Sequence, residues 1–169
     1  MTILPVVYIP NIVLKTKAEK VSEVNDEIRT LLSDMVDTMY EYEGIGLAGN
    51  QVGVLKRVAV IDVAEEGHTS NLIKMVNPEI TYHSEAVNTY NEGCLSIPKA
   101  EGDVTRPTEI EVEYLDENGK KQTLRTGGLL ATCVQHEIDH LDGILFMDYL
   151  SSAKRDMIKR KVAKHIKTL

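Results

Sequence analysis

The sequence has few of the residues that stack on nucleic-acid bases and few that form disulfides. Its 169 residues include no Trp, one Phe and two Cys, and seven Tyr complete the aromatics. So few aromatic side chains disfavour a platform for single-stranded nucleic acid. The formal net charge of −7 argues against a protein that coats DNA or RNA. Two cysteines cannot build a disulfide framework, which favours a reducing, cytoplasmic compartment.

The N-terminal stretch lacks the features of a targeting segment. Residues 1–14 are apolar, but they have no basic region and no small-residue cleavage site, and Pro5 and Pro10 interrupt them. We therefore expect neither a signal peptide nor a membrane span. The chain is 43% hydrophobic and has no linker-like tract, which predicts a single domain over residues 1–169.

Apolar periodicity predicts three helices. The first covers residues 25–42, with Asn25 as its N-cap and apolar side chains at three- and four-residue steps. The second begins near residues 126–129 and stops at Gly143. Its apolar arc covers most of the circumference, so it should be buried, with Gln135, Asp139 and Asp142 in a narrow polar arc. The third covers about 151–167 and carries these apolar residues on one side: Ala153, Met157, Ile158, Val162 and Ile166.

Strands are predicted between the first two helices. Residues 57–63, 72–76 and 109–114 are β-branched, apolar or strictly alternating, and an Asn118-Gly119 turn leads into 121–126. This order predicts an α+β fold, in which mostly antiparallel strands pack around the central second helix. An N-terminal amphipathic helix and a C-terminal basic helix flank that core.

The strongest chemical signal is the run His136-Glu137-Ile138-Asp139-His140. Histidines four residues apart on a helix lie one above the other, so both imidazoles can bind one cation, and the Glu between them can act on a water. Two packed, hydrogen-bonded histidines are the alternative interpretation of the same pattern. Because both point into the core from one helix face, we favour the metal site.

A catalytic metal needs a third protein ligand and an open position. The run has no third His at position 146, which is Phe146, and no Glu follows Glu137. Cys133 and His140 are about 10 Å apart along a helix, too far to share one ion with His136. Cys94 therefore remains as the third ligand, and Cys133 is expected to be a buried apolar residue.

A glycine-rich segment follows the first helix. It runs from Gly44 to Gly53 and holds four glycines, with Gln51 as its one long polar side chain. The spacing does not match a phosphate-binding loop, since no Lys-Ser/Thr pair follows. By itself this segment is a weak signal, because glycine-rich turns often only redirect the chain.

Three segments together resemble the motifs of the peptide deformylases. Residues 44–51 are similar to GxGLAAxQ, residues 92–96 match EGCLS, and residues 135–140 match QHExDH. The resemblance covers nearly the whole chain, and the helical C-terminus resembles the branch of Gram-negative bacteria and organelles. Three positions depart from the family's usual residues or vary within it: Gly49 in place of the second Ala, Asn50 at a variable position, and Glu101 where some members have Arg.

The resemblance implies removal of the formyl group from formyl-methionine at the N-terminus of nascent polypeptides, with formate released. It implies one divalent metal held by Cys94, His136 and His140, with Fe(II) expected physiologically and Zn, Ni or Co in purified protein. By analogy with other HExxH hydrolases, Glu137 moves the proton. The side-chain amide of Gln51 and the backbone N–H of Leu95 are the family's donors to the formyl oxygen. The family's substrate positions match here as well: Ile45, Gly46, Gly93, Leu129 and Cys133.

Two other functions stay open on the sequence alone. One is a small HExxH zinc peptidase, which would explain the helix but not the EGCLS or glycine-rich segments. The other is a catalytically inactive metal-binding homologue, which would not need Glu137. We expect a monomeric bacterial-type cytoplasmic enzyme with no membrane and no DNA partner.

Charge is distributed unevenly along the chain. Residues 151–169 hold seven Lys and Arg against one Asp, a local charge of +6, so the remainder carries −13. A solvated basic helix is the simplest interpretation. Because the related helix of the family is implicated in ribosome contact, we also expect weak, salt-dependent binding of this segment to ribosomal RNA.

Overall fold

The computed structural model describes residues 2–64 and 70–169. Within these ranges the α-helices are α1 (Asp26–Glu41), α2 (Gly128–Leu141) and α3 (Ser152–Ile166). The strands are β1 (Gly46–Ala48), β2 (Val58–Asp62), β3 (Leu72–His83), β4 (Val87–Cys94), β5 (Ile97–Pro107), β6 (Glu109–Leu115) and β7 (Lys121–Gly127). Short 3-10 turns span Ile12–Lys15, Gly49–Val52 and Phe146–Tyr149.

The strands form two sheets that confirm the predicted α+β fold. One is five-stranded in the order β1-β2-β3-β6-β7, and β4 and β5 form a separate hairpin. Neighbouring strands pair antiparallel throughout both sheets. Helix α2 packs against strands of both, which places its side chains between the sheet and the hairpin.

Helix α1 forms as the sequence predicts. The side chain of Asn25 caps it by accepting a hydrogen bond from the Ile28 backbone N–H at 3.1 Å, and Asp26 and Glu27 lie at its positive end. Its apolar stripe is buried against β1 and β2 and contains Ile28, Leu32, Met35, Val36 and Met39. The helix thus fixes the start of the glycine-rich segment that follows it.

The polar arc predicted for α2 is only partly exposed. Gln135 is buried, and its amide donates hydrogen bonds to the carbonyls of Pro107 and Ala131. Asp139 forms an ion pair with Arg106. The end of the β4–β5 hairpin therefore covers the polar arc at Gln135 and Asp139, whereas Asp142, just after the helix, is exposed.

The strand prediction was too short in the middle of the chain. Strand β3 continues past Pro78 to His83, because a shift in register beside Asn77, at φ 53°, accommodates the proline. Strands β4 and β5 have no clear apolar alternation and were not predicted. Their hairpin buries few apolar side chains, Ile97 and Val104 among them, together with the charged Glu92 and Arg106.

The predicted apolar side of α3 was too wide. Ile158 and Val162 are buried, but Ala153 is exposed and Met157 is 57% exposed. The helix contacts β5 and the Phe146–Tyr149 turn along a narrow line. Ile158 and Val162 lie on that line, and Met157 lies outside it. In the described ranges, none of the helices is both long enough and apolar enough to cross a membrane.

Gly49, which departs from the family motif, fits the packing around it closely. A Cβ placed there would lie 2.7 Å from the carbonyl oxygen of Lys56 and 2.8 Å from that of Val54. Both contacts are with backbone, which cannot rotate away. We expect Gly49→Ala to lower the free energy of unfolding by about 1–3 kcal/mol, as overpacking of a core does.

Urea denaturation measures this effect. Gly93→Ala is the matched control, because the nearest neighbour of its added Cβ would be 3.7 Å away. Equal stability of the two variants would contradict the packing argument.

Candidate active site

Helix α2 presents three functional side chains from buried positions. His136 and His140 lie one turn apart on the same face, and Glu137 lies beside them with 4% of its surface exposed. The two imidazole Nε2 atoms are 3.2 Å apart. The helix therefore brings both nitrogens to one point, as the four-residue spacing predicts.

Cys94 reaches the same point from the end of β4. Its Sγ lies 3.3 Å from Nε2 of His140, and a tight turn at residues 95–96 returns the chain into β5. Sγ and the two histidine nitrogens all lie within 4.8 Å of one another. The structure thus brings together the three predicted ligands.

These three residues fit a divalent cation. Ligand atoms bound tetrahedrally at 2.0–2.3 Å are separated by about 3.3–3.7 Å, close to the spacings seen here. Burial lowers the pKa of His140 well below its usual value, which keeps a lone pair available for a metal. Cys133 lies outside this group of ligand atoms. Its Sγ faces the carbonyl of Ile45, and burial raises the pKa of its thiol well above the usual value.

A buried ion network that the sequence analysis missed orients His136. Its Nδ1–H donates to Oε1 of Glu92 at 2.9 Å, and this fixes the tautomer in which Nε2 faces the cluster. Arg106 donates to both oxygens of Glu92, at 2.8 and 3.0 Å, and to Asp139 at 2.7 Å. The hydroxyl of Tyr149 also donates to Asp139, at 2.7 Å.

Hydrogen bonds offset the cost of burying charge in this network. Burial by itself would raise the pKa of Glu92, but hydrogen bonds from His136 and Arg106 outweigh burial and lower it. The pKa of Tyr149 is raised to about 12, mainly by burial and secondly by the hydrogen bond to Asp139. The only sequence signal for Glu92 was its place in the EGCLS segment, and Arg106 had none.

Glu137 lies against the glycine-rich segment. A Cβ at position 46 would lie 2.4 Å from Oε2 of Glu137. Because Gly46 has no side chain, the carboxylate has room there. Within the described residues, Oε1 of Glu137 has no hydrogen-bond partner. Burial raises the pKa of Glu137 to about 7. Among the residues that the structure describes, one oxygen of this carboxylate therefore stays free to accept a proton.

Gln51 points its amide nitrogen at the cluster. Its Oε1 accepts a hydrogen bond from the Ala48 N–H at 3.0 Å, which orients the amide so that Nε2 lies 3.3 Å from Sγ of Cys94 and 3.3 Å from Oγ of Ser96. Its neighbour Asn50 turns the other way and donates to the carbonyl of Thr16 at 2.8 Å. The tight turn at residues 49–52 thus directs the Gln51 amide toward the cluster and the Asn50 amide toward the backbone of residue 16.

A cleft of about 650 Å³ opens onto the cluster. All the predicted substrate positions line it, namely Ile45, Gly46, Gly93, Leu129 and Cys133, and so does Leu95. Among its other lining residues, Tyr90, Lys99, Thr132 and, from α3, His165 were not predicted. Glu101 is exposed and pairs with Gly93 across the hairpin.

Comparison with known proteins agrees with this architecture. Residues 3–156 match the family described as Polypeptide deformylase. A peptide deformylase of Rhizobium meliloti is 48% identical over 168 residues, which cover 99% of this chain and 97% of the relative. One of Pelagibacter ubique is 50% identical over 155 residues, which cover 92% and 90%.

Solved structures agree as well. The crystal structure of peptide deformylase from Ehrlichia chaffeensis has a TM-score of 0.96 and 40% identity, covering 99% of this chain and 98% of that one. Its complex with actinonin has a TM-score of 0.94 and 42% identity, covering 98% of each chain. Fold and site together define a metal-dependent hydrolase. The chain belongs to the polypeptide deformylase family, as its motifs predict.

Proposed function

We propose that this enzyme removes the formyl group from the N-terminal formyl-methionine of nascent polypeptides and releases formate. The observation that carries the proposal is one cleft that holds the Cys94/His136/His140 cluster, a buried carboxylate outside the cluster and an amide donor aimed at it. A peptidase of the HExxH type would not explain the EGCLS segment as a whole or the Gln51 amide aimed at the cluster. An inactive homologue has no need of Glu137.

Cys94, His136 and His140 would hold the metal. When bound, a divalent cation supplies Lewis acidity, which makes water a nucleophile near neutral pH and polarises a carbonyl oxygen. The donor set of one sulfur and two imidazole nitrogens suits Fe(II), Zn, Ni and Co. We propose Fe(II) as the physiological ion, in keeping with the family resemblance.

The protein's own residues transfer the proton and stabilise the negative charge that develops on the formyl oxygen. Glu137 accepts the proton of the attacking water and delivers it to the departing amine, a role suited to its buried carboxylate, whose Oε1 has no hydrogen-bond partner among the described residues. Nε2 of Gln51 and the backbone N–H of Leu95 donate to the formyl oxygen as its negative charge grows. The bond from Ala48 holds the Gln51 amide in that orientation before substrate arrives.

The cleft walls suit a methionine side chain on an extended peptide. Ile45, Leu129 and Cys133 supply apolar surface, and Ile45 and Leu129 are 47% and 44% exposed at its mouth. Gly46 lies on β1 and Gly93 on β4, and each of these strands pairs with a neighbour on one side only, so its other edge can hydrogen bond to an extended peptide.

Formate release from formyl-Met-Ala-Ser under anaerobic conditions tests the proposal. We expect stoichiometric formate and Met-Ala-Ser, with the peptide bonds intact. Cleavage at a peptide bond without formate would support a peptidase instead. Metal analysis of anaerobically purified protein tests the ion, since full activity with zinc as the sole metal would contradict the proposal of iron.

The basic C-terminal helix is proposed to bring the enzyme to the ribosome, where it acts as a cytoplasmic monomer. Six of the seven basic residues in 151–169 are exposed, so they are available to phosphates. Because Ile158 and Val162 belong to the core, charge reversal is a cleaner test than deletion. Lys154→Glu/Lys161→Glu/Lys164→Glu should lose salt-sensitive co-sedimentation with ribosomes. The control of equal charge change is Lys17→Glu/Lys20→Glu/Lys120→Glu, and equal loss in both would contradict a specific role for α3.

A further inference from the structure

One polar side chain in the cleft takes no part in the mechanism above. Thr132 lies on α2 one turn before His136, so Thr132, His136 and His140 form a row along one face of the helix. Thr132 lines the cleft with Leu129 and Cys133, and 4% of its surface is exposed. Thr132 therefore borders a recess whose neighbouring walls, at Leu129 and Cys133, are apolar.

This hydroxyl is unsatisfied. Within the described part of the chain, Oγ1 of Thr132 is buried and has no hydrogen-bond partner. A threonine in a helix commonly donates to the carbonyl one turn earlier, and the protein shows that bond at Thr38, whose Oγ1 donates to Asp34 at 2.7 Å. Thr132 does not make it. A buried hydroxyl without a partner costs free energy unless a ligand engages it.

We propose that Thr132 determines specificity for the first substrate side chain by donating a hydrogen bond to its sulfur. The inference rests on the proposed function, in which that side chain is methionine. A thioether sulfur is a weak acceptor, so it can use the donor that an isosteric hydrocarbon would leave unpaired. The thiol of Cys133 already faces the carbonyl of Ile45.

The lengths agree with this assignment. Four residues along α2 rise about 6 Å from Thr132 to His136. In a formyl-methionine, five bonds of about 1.5 Å join the formyl carbon to the sulfur, and they span about 6 Å when extended. When the formyl carbon lies level with His136 and the methionine side chain runs toward the N-terminus of α2, its sulfur would lie level with Thr132.

The test compares formyl-Met-Ala-Ser with formyl-norleucine-Ala-Ser, in which a methylene replaces the sulfur. We expect the metal-loaded wild-type enzyme to prefer methionine by about 3- to 10-fold in kcat/KM, the range of one net hydrogen bond. Thr132→Val should bring the ratio close to one, largely by raising activity on norleucine. Thr132→Ser should retain the preference, and Thr105→Val, on the exposed side of the hairpin, is the control.

Three results would overturn the inference: a wild-type enzyme without the preference, a Thr132→Val variant that keeps it, or a ratio that moves with Tyr90→Phe and not with Thr132→Val. Failure of the proposed function is distinct from these, because then neither formyl peptide releases formate. Should Thr132→Val fold poorly, the comparison of Thr132→Ser with Thr132→Ala gives the same contrast of hydroxyl present and absent.

Discussion

Replacing Glu137 with Gln is expected to lower formate release by about 10²–10⁴-fold while the metal content stays unchanged. The substitution keeps the size of the side chain and removes its ability to accept a proton. Glu137 is not among the three residues whose ligand atoms converge. This variant should therefore lose activity and keep its metal, whereas a variant of His136 or His140 should lose both.

The measurement pairs anaerobic formate release at saturating formyl-Met-Ala-Ser with elemental analysis of the same sample. Glu109→Gln, an exposed residue on β6, is the matched control and should retain both activity and metal. A Glu137→Gln enzyme that keeps its metal and its rate would show that another group moves the proton. In that case the open Oε1 and the space left by Gly46 would need a different explanation.

The convergence of the two histidines was predictable because a helix converts sequence spacing directly into geometry. His136 and His140 are one turn apart, and the same rise of about 1.5 Å per residue excludes Cys133 from their site. Cys94 then followed by elimination, and the structure places its sulfur beside them. Reasoning of this kind needs no knowledge of the tertiary fold.

The side chains around the ligands were less predictable, because they depend on tertiary register. Arg106 looks like a surface charge in sequence, yet it is 5% exposed and lies between Glu92 and Asp139, which are 14 and 33 residues away. Its burial follows from how the β4–β5 hairpin lies on α2. In the sequence, Thr132 is one more residue of a buried helix. The structure was needed to show that its hydroxyl does not bond to the backbone carbonyl one turn earlier.

Replacing Arg106 with Met is expected to lower the free energy of unfolding by about 3–5 kcal/mol, the cost of leaving a buried charge without its partner. Glu92 is 6% exposed and would lose a two-point ion pair, while Asp139 would keep its bond to Tyr149. Met was chosen because it preserves apolar volume. Urea denaturation at a fixed concentration of the same metal measures the change, since bound metal also contributes to stability. Arg160→Met, at an exposed position on α3, should change stability by no more than about 0.5 kcal/mol.

A second substitution separates charge from packing as the cause. Glu92→Gln added to Arg106→Met removes the uncompensated carboxylate and keeps a hydrogen-bond acceptor for Nδ1–H of His136. If the unpaired charge causes the loss, the double variant should be more stable than Arg106→Met alone, although each change removes a native contact. A double variant as unstable as the single one would mean that Arg106 acts through its packing against Tyr149, whose ring centroid lies 5.1 Å from the guanidinium carbon. The network would then hold His136 in place by shape, and neutral substitutes of similar size for Glu92 and Arg106 would be expected to support the same chemistry.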